Sequence, residues 1–189
     1  MKVLNVCIVI LLLSSSCQKS LTEKDKKEYI VKGKEIAQAS AEHLGGRLTK
    51  YMKEGGIVRA VPFCNTMAMP LTKEMSEKYN VSIKRTSDKL RNEKNKPTVE
   101  ETGILNKYKD LLKANEQLEQ LVELDKSGKP HFYAPIILQK KCLACHGEIG
   151  ENVTVKTDSI IKSYYPNDMA TGFKEGDLRG IWSITFKSN

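Results

Sequence analysis

The sequence predicts an α+β domain with an antiparallel sheet. Helix-like and strand-like stretches are intermixed without the spacing of βαβ units. Ala37, Ala41, Leu44, Leu48 and Tyr51 recur at four- and three-residue steps, which is one face of a helix. Trp182, Ile184 and Phe186 repeat at every second position, which is one face of a closing strand.

The elements follow in order. A long N-terminal helix is expected from about Tyr29, with Gly45-Gly46 interrupting its apolar face and Gly55-Gly56 ending it. Ile57 to Phe63 is a short apolar stretch leading to Cys64-Asn65. Pro70 disfavours helical geometry at Met69 and suits the first position of a new helix. That helix would run to about Tyr79, with Asn80 as a left-handed stop. Val81 to Ser87 alternates as a strand does, and Arg91 to Pro97 is a polar loop. Thr98 to Glu101 matches a capping box. Leu105, Tyr108, Leu111, Leu118 and Val122 then mark an amphipathic helix to about Leu124. His131 to Leu138 reads as a strand, with Pro135 placing it at an edge or a bulge. A short helix at 157–165, a loop rich in Pro, Asn, Asp and Gly, and the terminal strand complete the chain. No internal repeat or second domain boundary is visible.

The ends and the charge bound the setting. Lys2, the apolar run Val6 to Leu13, and Ser14-Ser15-Ser16-Cys17 form a secretory leader at residues 1–17 that resembles a bacterial lipobox. Cys17 is then the lipidated first residue, residues 18–28 a tether, and residues 29–189 the folded domain. The expected location is the periplasmic side of a bacterial membrane, held by a lipid anchor. Net charge is +8, with the lysines spread along the chain. No helix-turn-helix, zinc-finger or aromatic RNA-binding signature appears, so no nucleic-acid partner is expected.

Cys142-Leu143-Ala144-Cys145-His146 is a C-x-x-C-H segment. Two thiols at this spacing can each bond one vinyl carbon of a haem, and the next histidine lies under the iron. Export suits that chemistry. A zinc site would need a second ligand pair at motif spacing, and only Cys64, His43 and His131 remain, unpaired in sequence. A redox dithiol would want a βαβ context. The expected cofactor is one covalent haem c on Cys142 and Cys145, with His146 as an iron ligand.

The ligand opposite His146 is open on residues alone. Cys64 leads, as the cysteine that nothing else accounts for. The alternatives are a buried free cysteine, the nearby Met67 and Met69, or His43 and His131.

A further pattern bears on this. Val61-Pro62-Phe63-Cys64-Asn65, Ile83 to Asn92, Ala134-Pro135-Ile136, Cys142 to Gly147, Tyr165-Pro166-Asn167-Asp168 and Gly176-Asp177-Leu178-Arg179-Gly180 appear in this order. Together they resemble a bacterial family of exported single c-type haem domains long catalogued as a domain of unknown function. The resemblance covers roughly residues 30–187. It implies a PAS-like fold, with flanking helices and a long N-terminal helix, and His/Cys axial ligation with Cys64 as the second ligand. Met69-Pro70 stands where the family often has Ala-Pro, a minor departure.

Arg85, Arg91 and Arg179 lie in these segments and are candidate partners for the haem propionates. Gly147 is expected to give room beside the ring. Asp168 and Asp177 are expected as turn residues, Asp177 and Arg179 as an ion pair, and Tyr164, Tyr165 and Trp182 as packing residues. The functional expectation is a redox or ligand sensor with a separate redox or signalling partner. Low-potential electron transfer is the alternative. An enzyme such as a peroxidase is not expected, because nothing near Cys64 in sequence supplies a His or Glu acid–base group.

Overall fold

The computed structural model describes residues 20–187, so the leader, with Cys7 and Cys17, lies outside the described residues. Helix α1 spans Glu23–Tyr79. Thr22 and Asp25 close a capping box at its start, so the helix begins inside the segment read as a tether.

α1 is two arms, not one rod. Gly56 has φ 60 and ψ −151, a conformation open to glycine alone, and the helix breaks there as its sequence predicts. The Tyr51 and Phe63 rings stack 4.4 Å apart, and His43 Nε2 lies 3.2 Å from Glu74 Oε2. In a straight helix Tyr51 and Phe63 would stand about 18 Å apart. The chain therefore folds back into a helical hairpin with arms at residues 23–54 and 57–79.

The second arm departs from expectation. It does not start at Pro70 but is helical from residue 57, through both Pro62 and Pro70. Each proline removes one ladder hydrogen bond. Burial of Val61, Phe63, Leu71 and Met75 outweighs that loss. Gly45-Gly46 leave the first arm helical. The first arm's buried face is set by Gly33, Ile36, Ala37 and Ser40, whereas Ala41 is exposed.

Asn80 stops α1 in the left-handed conformation at φ 53. Strand β1 (Val81–Thr86) follows, then α2 (Val99–Lys113), capped by Thr98 and Glu101. α2 ends earlier than its apolar pattern predicts. Asn115 turns left-handed at φ 54, and Leu121–Leu124 form strand β2 instead. A short apolar run fits either element, and pairing with a neighbouring strand decides it.

Strands β3 (Pro130–Ile137) and β4 (Leu178–Phe186) complete an antiparallel sheet of order β1-β4-β3-β2. β2 pairs with β3 only as far as Tyr133, so Pro135 lies where β3 is locally an edge, with a register shift at Ile136/Ile137. The row Ile83, Ile184 and Phe132 packs under α1 with Ile36 and Met75. On the other face Tyr133 and Ile181 pack under Ile104, Leu105 and Tyr108 of α2. β4 is thus buried on both faces. The result is an α+β, PAS-like fold. Among the described residues no helix is long and apolar enough to cross a membrane.

Gly33 lets the first arm lie on the sheet, because a Cβ there would run into the Phe132 ring. We expect Gly33→Ala to cost ~1–3 kcal/mol in denaturant unfolding, by overpacking. Gly45→Ala, which meets open space, should instead be neutral or stabilise by up to about 1 kcal/mol.

Candidate haem site

Three strands bring the site together at one end of the sheet. Arg85, near the end of β1, pairs with Trp182, and Ile137, at the end of β3, pairs with Leu178 at the start of β4. The chain leaving β3 turns through Lys140–Cys142 into the single-turn helix α3 (Leu143–His146). Positions three and four apart share a helix face, so Cys142, Cys145 and His146 project together. Cys142 packs against Leu138, Ala170 and Phe173.

His146 is oriented by backbone. Its Nδ1 lies 2.7 Å from the Ala170 carbonyl oxygen. A carbonyl only accepts, so Nδ1 carries the proton and Nε2 keeps its lone pair. Burial, then the charges of Arg91 and Arg179, holds the ring well below the usual histidine pKa and therefore neutral.

Arg91 ties the surrounding loops. Its Nε and Nη2 donate to the two Asp168 oxygens, each at 3.0 Å. Nη2 also donates to the Cys145 carbonyl at 2.6 Å and the Ala170 carbonyl at 3.2 Å. The Asp168 side chain is 1% exposed, and its Oδ1 accepts from the Ala170 N–H at 3.0 Å. It was expected as a turn residue, and it is also the carboxylate of a buried ion pair. Phe173 N–H donates to His146 O at 3.0 Å, and Gly172 N–H to Gly147 O at 2.9 Å. Residues 168–173 therefore wrap the motif. Gly147 is also required by its protein surroundings: a Cβ there would crowd Asn152 and the Leu143 carbonyl.

Cys64 comes from the second arm of α1. Val61 packs with Val153, Ile161 and Tyr165, and Asn65 Nδ2 donates to the Tyr164 carbonyl at 3.1 Å. These contacts join the arm to helix α4 (Val155–Tyr164). Cys64 sits between them, within the electrostatic reach of Cys145, Arg85 and Arg91. Burial, and then Cys145, pushes its thiol up to about 11. Burial, and then Cys64, pushes the Tyr165 hydroxyl up to about 12.

The other ligand candidates have other surroundings. Met69 is exposed, and His43 is paired with Glu74. His131 Nε2 lies 2.8 Å from Ser183 Oγ, and its ring stacks on Tyr133. Among the described residues no group of three or more His, Cys, Asp or Glu side chains stands close enough to hold a metal ion directly. The all-antiparallel sheet likewise lacks the βαβ context of a redox dithiol.

Arg85 stands with its guanidinium 5.7 Å from the Trp182 ring centroid, and its Nε is buried without a hydrogen-bond partner. Arg179 Nη1 donates to the Lys89 carbonyl at 3.0 Å, and its guanidinium lies 5.5 Å from the Phe173 ring centroid. The expected Asp177–Arg179 pair does not form, because Asp177 Oδ2 instead accepts from the Lys174 N–H at 2.7 Å. Tyr165 and Trp182 are buried as expected, but Tyr164 is exposed. Sequence reading missed Ala170, which acts through its carbonyl and so leaves no side-chain signal. It also missed Phe173, edge-on to His146 at 6.4 Å.

Two outcomes are expected here. Asp168→Ala strands the Arg91 charge and should cost ~3–5 kcal/mol in chemical denaturation. Burial lowers the His131 pKa, so the folded chain takes its proton less readily than the unfolded chain. Stability should therefore decline as pH falls below about 6.5, and His131→Gln should flatten that part of a stability–pH curve.

The comparison with curated proteins finds no match. Among solved structures, the crystal structure of the cyanobacterial heme-protein Tll0287 matches with a TM-score of 0.61 at 23% identity, over 86% of this chain and 96% of that one. At this identity the likeness is one of fold. The Tll0287-like family matches residues 13–187, a span that contains every one of the ordered segments from Val61 to Gly180. The chain therefore belongs to the Tll0287-like family.

Proposed function

We propose that this chain is an exported, membrane-anchored haem protein that carries one covalent haem and acts as a redox or ligand sensor. Cys142 and Cys145 would hold the macrocycle through thioether bonds, and His146 and Cys64 would ligate the iron. The observation that carries this is the His146–Ala170 hydrogen bond, which leaves a neutral imidazole with a free Nε2 beside two cysteines at haem spacing. Cys64, brought to the same site from a distant part of the chain, and the buried, unpartnered Nε of Arg85 also fit a ferric, carboxylate-bearing ligand. The solved relative is described as a heme-protein.

The haem would supply a one-electron couple. The chain would offer two states of Cys64. As an iron ligand its Sγ would be a thiolate. Off the iron it would hold a proton, because burial pushes that thiol up to about 11. Loss of the ligand and gain of a proton at Sγ would favour a second arrangement of the second arm of α1, which Val61 and Asn65 tie to α4. A separate redox or signalling protein would read that change.

Electron transfer is the second reading, favoured by the net charge of +8, which would steer an acidic partner. We do not propose an enzyme: the titratable groups that act on Cys64 are Cys145, Arg85, Arg91 and Tyr165, which are not the His or Glu acid–base groups of peroxide chemistry.

Protein matured in a host able to attach haem c should weigh more than its polypeptide by one porphyrin, and a Cys142→Ala/Cys145→Ala variant should lose that mass. Cys64→Ala should change the ferric absorption and spin-resonance spectra. Coincident spectra would remove the thiolate from the assignment. Carbon monoxide binding to wild type only after reduction favours sensing, whereas a reversible couple without gas binding favours electron transfer.

A further inference from the structure

The site holds more positive charge than its own carboxylates balance. Arg85, Arg91 and Arg179 act on one another and on Cys64 and His146. Arg91 is neutralised by Asp168, which it grips with two hydrogen bonds. Among the described residues neither Arg85 nor Arg179 pairs with a carboxylate: Arg179 donates to a backbone carbonyl and Arg85 lies over Trp182. The nearby Asp88 is taken by Lys109. Arg85 Nε is, moreover, the one buried side-chain nitrogen or oxygen among the described residues without a hydrogen-bond partner. A guanidinium whose Nε is buried without a partner is costly and calls for an anionic partner.

The count on the cofactor side is complementary, granted the haem reading above. Ferric iron, the porphyrin dianion and one thiolate sum to zero, so the two propionates are left as the net charge. We propose that Arg85 and Arg179 receive the two propionates, one guanidinium to each carboxylate. Arg91 does not share in this. Its Nε and Nη2 are spent on Asp168, Cys145 and Ala170, so it is a positioning residue that acts on His146 through the Ala170 carbonyl. Planar forks of this kind match a carboxylate with paired hydrogen bonds. The three arginines, alike in sequence as basic residues of matched segments, thus divide into two anion receptors and one loop clamp.

The test uses the purified holoprotein and its variants Arg85→Gln, Arg179→Gln, Arg85→Lys, Arg179→Lys and Arg91→Lys. Resonance Raman spectra report the propionate bending bands, and redox titration reports the midpoint potential against pH. Each glutamine variant should keep one porphyrin by mass, shift a propionate band, and gain a pH-dependent step in potential across the carboxylate range, as a propionate loses its cation. The lysine variants should shift the same bands while recovering most of the wild-type pH profile, since charge is kept and the fork is lost. Arg91→Lys should leave the propionate bands in place and alter the iron–histidine band. Wild-type bands and pH profile in the Arg85 and Arg179 variants would overturn the assignment, as would propionate shifts confined to Arg91→Lys. Where a glutamine variant fails to mature, its lysine counterpart decides by the same bands. Wild-type protein without added porphyrin mass would end the haem reading and this assignment with it, a failure distinct from unmoved bands.

Discussion

The Arg91–Asp168 ion pair is the contact on which the arrangement of the site depends. It joins the loop after β1 to the loop before β4, and one guanidinium reaches both the Cys145 and Ala170 carbonyls. The Ala170 carbonyl in turn sets the tautomer of His146. Two segments 77 residues apart in sequence therefore fix the ring nitrogen that faces the site. A buried pair adds little net stability against an apolar substitute, but losing one partner is expensive. Such a pair defines one loop geometry and penalises the others. That geometry carries the motif's histidine.

The second constraint is the turn at Gly55-Gly56. A helix of this length, left straight, would carry Cys64 far from the sheet. The hairpin returns it alongside the first arm. Both arms rest on the row of Ile83, Ile184 and Phe132, and α4 clasps the second arm near Cys64. Val61 and Asn65, on either side of Cys64 in the chain, are thus tied to α4, and Cys64 is half-buried beside them. That burial makes a free thiolate costly.

Charge completes the design. Strand ends are good places for functional side chains because the sheet behind them is rigid. Here β1 and β4 deliver Arg85 and Arg179, and β3 delivers the motif, to one end of the sheet. Two surface grooves lie at the other end, around Leu21, Tyr29, Leu124 and Phe186, and involve none of these residues.

By itself the sequence determined the α+β class, the break at Gly55-Gly56, the stop at Asn80, the Thr98 capping box and the closing strand. Each depends on neighbours within a few residues, where glycine conformation, capping and periodicity act. The C-x-x-C-H spacing of Cys142, Cys145 and His146 is likewise local, because it lies within one turn of chain. Local rules failed where burial competes with propensity. Pro62 and Pro70 did not interrupt the second arm, and Leu121–Leu124 joined the sheet, because long-range packing and strand pairing outweigh local preference. Tertiary structure alone decided which arginine meets Asp168, that Ala170 orients the histidine, and that Arg85 Nε is buried with no hydrogen-bond partner among the described residues. Those outcomes rest on distances between segments far apart in the chain, and no spacing along the sequence encodes them.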